Sequence, residues 1–487
     1  MEFQEFEELA SSYNVIPVSK SLLADTLTPV SAYLRMRTGS KSSFLLESVE
    51  GGERFARYSF LGCDPIGVLK CRDKTTTIIE NGTSRISTED FFQLLHKRIT
   101  CFRQPALPHL PRFTGGLVGF IGYDAVRFIE DVPCRVINKI GIEDSVLGLF
   151  TSVLAFDHYK HQIIIIVNVL VNSHETFRVQ YEAALVKIDR LERLLHTSEP
   201  PPQEFHSSYD TITYETKREE FISMVLKAKH YITEGDIFQV VLSQRFSTEF
   251  HGDVFNAYRA LRVINPSPYM YYLDFDGFRV IGSSPEILVQ VENGIAETYP
   301  IAGTRARGKT DEEDKRLEQE LLADEKERAE HVMLIDLGRN DLGKVCEVGT
   351  VKVDKLMEIV RFSHVMHIAS RVKGKVDGDK TCVDVLKAAF PAGTVSGAPK
   401  IRAMEIIDEL EQSRRGLYAG GVGYFDFSGN TDMCIAIRTM FAHDGRIYFQ
   451  AGAGIVADSD PEKEYQETIN KARVLVEALR IADGVIQ

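Results

Sequence analysis

Strand-forming segments follow one another closely in this chain, with short polar turns between them. Segments 269–275 and 278–281 flank Asp276-Gly277, a dipeptide typical of a two-residue hairpin turn. Three further segments precede the last helical stretch: 419–427, 433–441 and 446–451. There is no regular alternation of strand and helix and no GxGxxG motif, which disfavours Rossmann and TIM-barrel folds. The pattern predicts an α+β fold in which large, mostly antiparallel β-sheets pack as a sandwich with flanking helices.

A proline-rich break divides the sequence. Residues 198–205, SEPPPQEF, contain three consecutive prolines and no apolar period, as a linker or exposed crossover does. With 487 residues, the chain is also too long for one ordinary core. We therefore predict a boundary between an N-terminal region, 1–200, and a second region, 205–487. The alternative is that the two regions are intertwined and the break is only a surface crossover.

The composition restricts the compartment and the partners. A net charge of −13 argues against a nucleic acid or an anionic membrane as a partner. The seven cysteines are scattered and form no CxxC pair, which favours a reducing compartment over a disulfide framework. The N-terminal MEFQEFEELASS lacks the apolar core of a signal peptide, and the longest apolar run, 163–171, is too short to span a bilayer. We expect a cytoplasmic protein that binds neither membrane nor nucleic acid.

The segment 324–341, DEKERAEHVMLIDLGRND, predicts a helix with two unlike faces. Its apolar stripe, which needs a core to cover it, consists of Leu321, Leu322, Val332, Leu334 and Ile335. Glu327 and Glu330 share a second face at i, i+3 spacing, and the same spacing recurs downstream in a second glutamate pair. That second pair is Glu464 and Glu467. Carboxylates on two helices suit a hard cation such as Mg²⁺, although both pairs could also be solvated faces of surface helices.

Three other features could serve a small anionic substrate. Arg438 falls inside a strand candidate, where it is either paired in the core or directed at an anionic ligand. The Gly-Ala-Gly at 452–454 is expected to form a turn whose backbone N–H groups could hold a carboxylate. His367, in the predicted strand 363–374, is either a core histidine or a proton shuttle. Together with the acidic helices, these features indicate a Mg²⁺ site that accepts a small carboxylate.

Several long motifs occur along the chain: LLES (45–48), GDIFQVVLSQR (235–245), NPSPYMYY (265–272), GSSPE (282–286), PIAGTRARG (300–308), DEKERAEHVMLIDLGRND (324–341), FPAGTVSGAPK (390–400), CIAIRT (434–439) and FQAGAGIVADSDPEKEYQET (449–468). On these motifs the chain, from about residue 43 to its end, resembles the chorismate-utilising enzymes, and among them the large subunits that form anthranilate. The resemblance implies the first committed step of tryptophan biosynthesis. In that reaction ammonia adds at ring C2 of chorismate, and pyruvate is then eliminated to aromatise the ring.

The resemblance also implies roles for individual residues. Glu330 and Glu467 would bind Mg²⁺, with Glu464 assisting, and the ion would bind the ring carboxylate of chorismate. Glu286 would protonate the leaving 4-hydroxyl, and His367 would serve the proton movements that release pyruvate. The residues implied to line the ring or hold the enolpyruvyl carboxylate are Gly303, Thr304, Thr394, Tyr418, Arg438, Gly452, Ala453, Gly454 and Lys471.

Two positions distinguish this chain from sister enzymes within the resemblance. Isochorismate and salicylate synthases carry a water-activating lysine where Gln239 stands; glutamine cannot act as that base, so ammonia is the favoured nucleophile. Aminodeoxychorismate synthases often carry a nucleophilic lysine in place of Ala302, and that covalent route is closed here. Some of them lack this lysine, so aminodeoxychorismate formation is the alternative activity. A third interpretation, a non-catalytic scaffold, is disfavoured because the implied catalytic residues are all present.

The resemblance further implies a partner and an inhibitor. No glutaminase signature occurs in the sequence, so ammonia would come from a separate glutamine amidotransferase subunit, in a heterotetramer of two large and two small subunits. An inhibitory L-tryptophan pocket would be formed by Glu47, Ser48, Pro268, Tyr269, Met270, Val422 and Tyr424. A ligand bound there could shift a two-state closure of the active site. The alternative is that these residues are ordinary core positions of strands near a tight turn.

Overall fold

A computed structural model of the chain describes residues 1–48, 57–80, 82–201, 203–361 and 365–484. Short 3-10 turns occur at Tyr123–Phe128 and Gly393–Val395. The α-helices in the described residues are α1 (Phe3–Ala10), α2 (Pro29–Met36), α3 (Phe91–Thr100), α4 (Phe177–Leu195), α5 (Arg218–Thr233), α6 (Phe255–Ile264), α7 (Asp311–Ala323), α8 (Glu325–Gly343), α9 (Cys382–Ala389), α10 (Lys400–Leu410) and α11 (Pro461–Gly484).

The strands outnumber the helices and are mostly short. In chain order they are β1 (Val15–Leu23), β2 (Ser42–Glu47), β3 (Tyr58–Cys63), β4 (Gly67–Arg72), β5 (Thr75–Glu80), β6 (Thr83–Ser87), β7 (Gly116–Ile121), β8 (Ser145–Phe150), β9 (Ser152–Asp157), β10 (Gln162–Leu170), β11 (Phe205–Ser207), β12 (Thr213–Tyr214), β13 (Gln239–Gly252), β14 (Tyr269–Phe275), β15 (Phe278–Ser284), β16 (Ile287–Glu292), β17 (Ile295–Thr298), β18 (Ile301–Ala306), β19 (Lys352–Arg361), β20 (Val365–Lys375), β21 (Gly397–Ala398), β22 (Gly421–Asp426), β23 (Thr431–Ile435), β24 (Thr439–His443) and β25 (Arg446–Ile455).

These strands form two large sheets. Within the described residues the first sheet has 13 strands in the order β1-β10-β9-β3-β2-β14-β15-β24-β25-β13-β11, with β12 and β21 also paired to β13. The second has 12 strands in the order β18-β20-β17-β16-β23-β22-β7-β8-β4-β5-β6, with β19 paired to β20. Every pair of these strands in the described part of the chain is antiparallel. The predicted α+β class with antiparallel sheets is confirmed.

Strand β10 illustrates how the sheets pack. Its apolar run, QIIIIVNVL, is buried on both faces, because side chains of a strand alternate between the two sides of the sheet. Ile164 and Ile166 belong to the core between the two sheets, together with residues such as Phe150 of β8 in the second sheet. Ile163 and Ile165 belong to a different core, which joins the outer face of the first sheet to helices α1, α2, α4, α6 and α11. The sheets therefore form a sandwich with helices outside it.

Both sheets contain strands from each side of the proline-rich break at 198–205. In the first sheet β2 pairs with β14, with Leu45 opposite Tyr272. In the second sheet β7 pairs with β22, with Gly119 opposite Gly423. The boundary between the two regions stays a prediction, but each sheet is continuous across it.

The predicted strands of the second region can be compared with the observed ones. The hairpin around Asp276-Gly277 is confirmed as β14 and β15. The predicted strand 363–374 corresponds to β20, and its first two positions, 363 and 364, lie outside the described residues. The predicted strand 433–441 is wrong, because it is divided into β23 and β24 at Arg438. The predicted strand 446–451 is too short, since β25 continues to Ile455.

The cysteines and the helices have one further property each. The seven cysteines all lie in the described residues and are free thiols. Among the described residues, none of the helices has the length and apolar character needed to cross a membrane.

Candidate active site

A cavity of about 430 Å³ lies where strands β13, β18, β20 and β25 meet helices α8 and α11. A volume of this size is typical of sites for small molecules. Its polar lining residues are Gln239, Glu286, Thr304, Lys326, Glu327, Glu330, His367, Thr394, Arg438, Ser459, Glu464, Glu467 and Lys471. The fold thus brings together all the predicted catalytic and metal-binding side chains, which are far apart in the sequence.

Helix α8 presents two carboxylates to this cavity. The helix begins after Asp324, whose side chain accepts hydrogen bonds from backbone N–H groups of the first turn at 3.1 and 3.2 Å. Glu327 and Glu330 line the cavity together, as their spacing predicts. The Glu327 carboxylate is already paired with Arg305 of β18 at 3.3 Å. Burial raises the pKa of Glu330, and the negative charges of Glu327 and Glu467 add to the rise.

The apolar stripe predicted for this helix is wrong in part. Helix α7 ends and helix α8 begins at Asp324. Leu321 and Leu322 therefore belong to α7 and not to the helix that carries the glutamates. Val332 is 45% exposed. The members of the stripe that are buried on α8 as predicted are Leu334 and Ile335. Helix α8 is therefore held by a narrower apolar face than the sequence indicated.

Helix α11 presents the second carboxylate pair. Asp460 accepts hydrogen bonds from two backbone N–H groups of the first turn, both at 3.0 Å, and so fixes where the helix begins. Glu464 and Glu467 line the cavity, and burial together with the charge of Glu467 raises the pKa of Glu464. Lys471, one turn further on, contacts Glu467 at 2.7 Å and donates a hydrogen bond to the carbonyl oxygen of Gly452 at 3.0 Å.

The three carboxylates predicted to bind Mg²⁺ therefore face one cavity from two helices. Glu330 and Glu464 both have a pKa raised partly by the charge of Glu467, so like charges meet here, and a divalent cation would relieve their repulsion. As the side chains stand, no group of three or more His, Cys, Asp or Glu among the described residues is gathered closely enough to coordinate a metal. The set fits Mg²⁺ in donor type and charge, provided that Glu467 turns away from Lys471.

Glu286 lies just after β15. Its backbone carbonyl accepts a hydrogen bond from the N–H of Ile435 at 3.0 Å, which ties it to the end of β23. Burial raises the pKa of Glu286 from 4.5 to about 7. The hydroxyl of Thr394 is buried without a well-aligned hydrogen-bond partner in the described residues; it faces this carboxyl and lowers its pKa. A carboxyl with this pKa is partly protonated near neutral pH, as a general acid must be.

His367 contacts the segment that holds Gly303 and Thr304. Its Nδ1 atom lies 2.8 Å from the carbonyl oxygen of Gly303 and 3.1 Å from the hydroxyl oxygen of Thr304. A carbonyl only accepts, so Nδ1 carries the proton and Nε2 is the basic nitrogen of the neutral ring. Burial lowers the pKa of His367, so the ring is neutral at pH 7. Gly303 has a φ of 67°, which glycine adopts without strain. It lies at the point where the pairing of β18 with β20 is irregular.

Arg438 does not lie inside a strand, as the sequence had predicted, but in the break between β23 and β24. Its φ of 49° is in the left-handed region, which interrupts the extended backbone. Its carbonyl oxygen accepts a hydrogen bond from the N–H of Ser283 at 3.2 Å, so the break lies beside β15. The guanidinium lines the cavity and forms no hydrogen bond or salt bridge within the described residues. Of the two interpretations of Arg438, an anion-binding arginine fits better than a paired core arginine.

The Gly-Ala-Gly at 452–454 is not a turn, and that prediction is wrong. The three residues continue β25, where they pair with Ser243, Leu242 and Val241 of β13. Strand β24 pairs with β25 only as far as Phe449, so in the described structure no strand lies on the other side of these residues. Their small side chains leave that side open to the site. Gly454 lines the cavity, whereas Gly452 and Ala453 do not.

Tyr418 lies behind the cavity wall. Its hydroxyl oxygen is so close to Gly452 that a Cβ atom there would be 2.7 Å away, which is why a residue without a side chain is needed. Burial raises the pKa of Tyr418 to about 12, so the hydroxyl stays protonated at neutral pH. A layer behind the cavity wall is thus formed by Tyr418, Gly452 and Ala453. It contacts the lining residues Lys471 and Gly454, the first by a hydrogen bond and the second along β25.

The two positions predicted to separate the sister activities both line the cavity. Gln239, the first residue of β13, donates a hydrogen bond from Nε2 to Oε1 of Glu330 at 3.3 Å. The backbone of Gln239 pairs with Ala398 of β21, which fixes the position of the Gln239 Cα atom. Ala302 lies in β18 opposite Ile368. A lysine at either position would therefore start from the wall of the same cavity.

Sequence reasoning missed two polar residues of the cavity. The charge of Lys326 lowers the pKa of both Glu330 and Glu464, but in the sequence it reads as one of several surface charges on an acidic helix. The hydroxyl of Ser459 also lowers the pKa of Glu464. Serine in a polar loop before a helix gives no signal of its own, so only the fold could identify it.

A second, smaller cavity, of about 50 Å³, is lined by all seven residues predicted to form the tryptophan pocket. It lies between the sheets: Glu47 and Met270 face each other across β2 and β14, while Tyr424 comes from β22 of the other sheet. Glu47 accepts hydrogen bonds from the hydroxyl of Tyr258 at 2.5 Å and from Arg262 at 3.0 Å. Both partners belong to α6, which packs on the outer face of the first sheet, so the Glu47 carboxylate is buried there and not in the space between the sheets.

Strands β15 and β23 connect the second cavity with the first. Tyr269 of β14 pairs with Ser284, the last residue of β15, two positions before Glu286. Its hydroxyl also donates to Oδ1 of Asp432 at 2.8 Å, and Asp432 belongs to β23, which ends just before Arg438. A ligand that moved Tyr269 would therefore act on backbone that is continuous with Glu286 and Arg438.

Comparisons with known proteins identify the family of the chain. A family model of chorismate binding enzymes matches residues 41–477. Anthranilate synthase component 1 of Acetivibrio thermocellus is 51% identical over 489 residues, which cover 99% of this chain and 98% of that protein. The crystal structure of anthranilate synthase component I from Streptococcus pneumoniae has a TM-score of 0.76 at 40% identity, covering 93% of this chain and 99% of that chain. The menaquinone-specific isochorismate synthase of Escherichia coli, at 19% identity, shares the fold with a TM-score of 0.73 over 98% of both chains. The chain therefore belongs to the family of chorismate-binding enzymes.

Proposed function

We propose that this protein converts chorismate and ammonia to anthranilate and pyruvate, as the large subunit of an anthranilate synthase. The observation that carries the proposal is the convergence of Glu286, His367, Arg438 and the two glutamate-bearing helices on one cavity. The family match and the identity to anthranilate synthase component 1 over almost the whole chain support it. Aromatic ring formation from chorismate needs an anion site, an acid and a base, and the cavity offers all three.

Substrate binding is assigned to the positive groups of the cavity. Arg438 lines the wall and forms no hydrogen bond or salt bridge within the described residues, although its charge acts on Glu286, so it can bind a carboxylate of chorismate without first breaking a direct contact. Lys471 adds a second positive charge near Gly454, where the backbone of β25 is open on one side. Tyr418 supports this strand from behind through its contact with Gly452. The enolpyruvyl carboxylate is assigned to this end of the cavity.

The proton transfers are assigned to Glu286 and His367. A carboxyl with a pKa of about 7 holds its proton in a large fraction of molecules at neutral pH, so Glu286 can protonate the 4-hydroxyl as it leaves the ring. His367 is neutral, with Nδ1 bound to the carbonyl of Gly303, so its Nε2 can accept a proton when the ring loses pyruvate and becomes aromatic. At neutral pH Glu286 is thus partly protonated and can act as the acid, whereas His367 is neutral and can act as the base.

Magnesium would be held by Glu330 and Glu467, with Glu464 assisting. When bound, Mg²⁺ would bind the ring carboxylate and draw electron density from the ring. The raised pKa values of Glu330 and Glu464 support this assignment: burial raises both, and the negative charge of Glu467 adds a repulsion that a cation would remove. With Glu467 on the cation, Lys471, which now contacts Glu467 at 2.7 Å, would be available to the substrate.

Ammonia rather than water is the proposed nucleophile. The amide of Gln239 is held by Glu330 and cannot remove a proton from water, whereas ammonia needs no activation. We assign the supply of ammonia to a glutamine amidotransferase subunit, in an assembly of two large and two small subunits in the cytoplasm. Without this subunit the chain would need free ammonia, at high pH or high ammonium.

The cavity between the sheets is proposed as an inhibitory L-tryptophan site. Its lining includes the buried Ser48 hydroxyl, which has no hydrogen-bond partner within the described residues. Tyr269 and Met270 of β14 and Val422 and Tyr424 of β22 supply apolar surface from both sheets. Occupation of the cavity would alter the spacing of the sheets and, through β15 and β23, the positions of Glu286 and Arg438.

One assay tests these proposals against their alternatives. The protein is mixed with chorismate, Mg²⁺ and ammonium, and anthranilate fluorescence and pyruvate are followed together. Anthranilate and pyruvate in equal amounts are expected, with loss of both on addition of EDTA and recovery with excess Mg²⁺. Loss of chorismate without pyruvate would point to aminodeoxychorismate formation instead. No loss of chorismate in the presence of Mg²⁺ and ammonium would point to a non-catalytic scaffold.

A further inference from the structure

The side chain of Arg415 lies behind the cavity and is almost completely buried. It is 1% exposed, and its partner Glu411, four residues earlier and just past the end of α10, is 4% exposed. Two bonds join them: Nε donates to Oε2 of Glu411 at 2.9 Å, and Nη2 donates to Oε1 at 2.6 Å. A buried ion pair of this kind contributes little net stability, because both charges have lost their hydration. The role of Arg415 therefore depends on the other groups to which its guanidinium donates hydrogen bonds.

The remaining donors of Arg415 reach two backbone segments of the cavity wall. Nη2 donates to the carbonyl oxygen of Val241 at 2.6 Å, and Nη1 donates to that of Val395 at 2.7 Å. Val241 lines the cavity from β13. Val395 directly follows Thr394, whose hydroxyl faces Glu286. One planar guanidinium therefore sets the distance between β13 and the turn that carries Thr394.

The same guanidinium lies against two aromatic rings. Its central carbon is 5.5 Å from the ring centre of Tyr418 and 4.7 Å from that of Tyr123. Tyr418 is the residue whose hydroxyl touches Gly452. Tyr123 comes from the N-terminal region, in the 3-10 turn after β7. Arg415 thus connects the support of the substrate-binding strand with the N-terminal region.

Glu411 extends the network into β13 and β25. Its Oε1 atom accepts hydrogen bonds from the backbone N–H of Ser243 at 2.9 Å and from the hydroxyl of Ser243 at 2.7 Å. The amide of Gln450 donates to the same hydroxyl at 2.8 Å. Strands β13 and β25 are therefore joined by side chains as well as by their ladder at the point where Gly452 pairs with Ser243.

We propose that Arg415 is a positioning residue for the reaction, whose guanidinium holds Val241, Thr394 and Tyr418 in the arrangement that the chorismate site requires. This inference rests on the proposed function. Arg415 itself does not line the cavity, so its effect is transmitted by the residues it holds. Lysine in its place keeps the charge but has a single donor group at its end, which cannot bond both carbonyls and the carboxylate in one plane.

Arg127 is a matched control. Its side chain is 18% exposed and binds two carboxylates, those of Asp124 and of Asp408, the latter at 3.0 Å. It belongs to the same 3-10 turn as Tyr123, but its partners do not line the cavity. Arg127→Lys therefore removes a similar charged fork from the same part of the fold without touching the cavity wall.

The test compares Arg415→Lys with Arg127→Lys. Both variants are checked by far-UV circular dichroism and thermal unfolding, and their kcat and KM for chorismate are measured with saturating ammonium and Mg²⁺. We expect Arg415→Lys to lower kcat/KM at least tenfold, since misplacement of groups by about 1 Å is costly. The kcat/KM of Arg127→Lys should stay within about twofold of that of the unaltered protein, even if this variant loses as much thermal stability as Arg415→Lys or more. Equal kcat/KM in the two variants would overturn the proposal.

A pH profile provides a readout that loss of stability alone would not move. Because the Thr394 hydroxyl lowers the pKa of Glu286, its displacement in Arg415→Lys should move the alkaline fall of kcat/KM to higher pH. An unchanged profile would contradict the proposal. If Arg415→Lys does not fold, Glu411→Gln takes its place, since it weakens the hold on Arg415 with a side chain of equal size, and the same shift in pH is expected.

Calorimetric titration with chorismate separates this proposal from the proposed function. If the unaltered protein binds chorismate but yields no anthranilate, the proposed function fails, and Arg415 is then judged by binding alone. Weaker binding by Arg415→Lys than by Arg127→Lys would support the positioning role. Equal binding would contradict it.

Discussion

The unusual protonation of Glu286 predicts that the free energy of unfolding depends on pH through this one residue. Burial raises its pKa from 4.5 to about 7 in the folded chain. The ionised carboxylate is therefore about 3 kcal/mol less favourable in the folded than in the unfolded state. Because the pKa is raised, the favourable contribution of the neutral carboxyl is present below pH 4.5. It is lost as the pH rises to about 7, above which the loss is constant.

The substitution that isolates this effect is Glu286→Gln, which keeps the shape of the side chain and cannot ionise. Relative to the original protein, the variant should gain under about 1 kcal/mol of unfolding free energy at pH 5 and about 3 kcal/mol at pH 8. The same variant should be inactive, because glutamine cannot donate the proton that the leaving hydroxyl needs. Loss of activity together with a gain in stability would mark Glu286 as a functional residue held at a cost in stability.

Urea unfolding followed by far-UV circular dichroism at pH 5, 6, 7 and 8 measures the difference. Glu325→Gln, on the exposed start of α8, makes the same substitution outside the cavity and serves as the control. A difference between Glu286→Gln and the original protein that stays constant from pH 5 to pH 8 would refute the reasoning. So would a variant that is less stable at pH 8.

Three further predictions concern the metal, the inhibitor and the nucleophile. Glu467→Gln should leave less than about a tenth of the Mg²⁺-dependent turnover with an unchanged circular dichroism spectrum, and higher activity would count against it as a ligand. Ser48→Phe should fill the cavity between the sheets and abolish inhibition by tryptophan while activity persists; unchanged inhibition in an activity titration would remove Ser48 from that site. Gln239→Lys should admit water and give some hydroxylated product by liquid chromatography, whereas anthranilate alone at the original rate would argue against a role of Gln239 in choosing the nucleophile.

Much of the fold could be predicted from local signals. The turn at Asp276-Gly277 carries its own structural preference, and the predicted hairpin is confirmed. The β-branched run of β10 likewise favours a strand on local grounds. The partners of each strand could not be predicted, because pairing such as that of β2 with β14 depends on parts of the chain that are distant in sequence. The interruption at Arg438 was also invisible, since its neighbours Ile437 and Thr439 favour strand and only the backbone reveals the left-handed residue.

The site was predicted better in its residues than in its geometry. The spacing of Glu327 and Glu330 correctly indicated a shared face, because helical periodicity is a local property. The Gly-Ala-Gly at 452–454 was misjudged, because glycines favour turns locally while the ladder with β13 overrides that preference. Arg415 gave no signal at all, since an arginine beside other charges resembles a surface residue until its burial is known.

The continuity of both sheets across the proline-rich break has a consequence for biogenesis. As the chain leaves the ribosome, β2 and β7 emerge long before β14 and β22, the neighbours that complete their sheets. Until then the nascent first half carries open strand edges, which are prone to pair with other chains. Pairing over such long separations also slows folding. Protection by chaperones during synthesis would matter more for this architecture than for one whose halves fold separately, and splitting the gene at the break would yield two insoluble pieces.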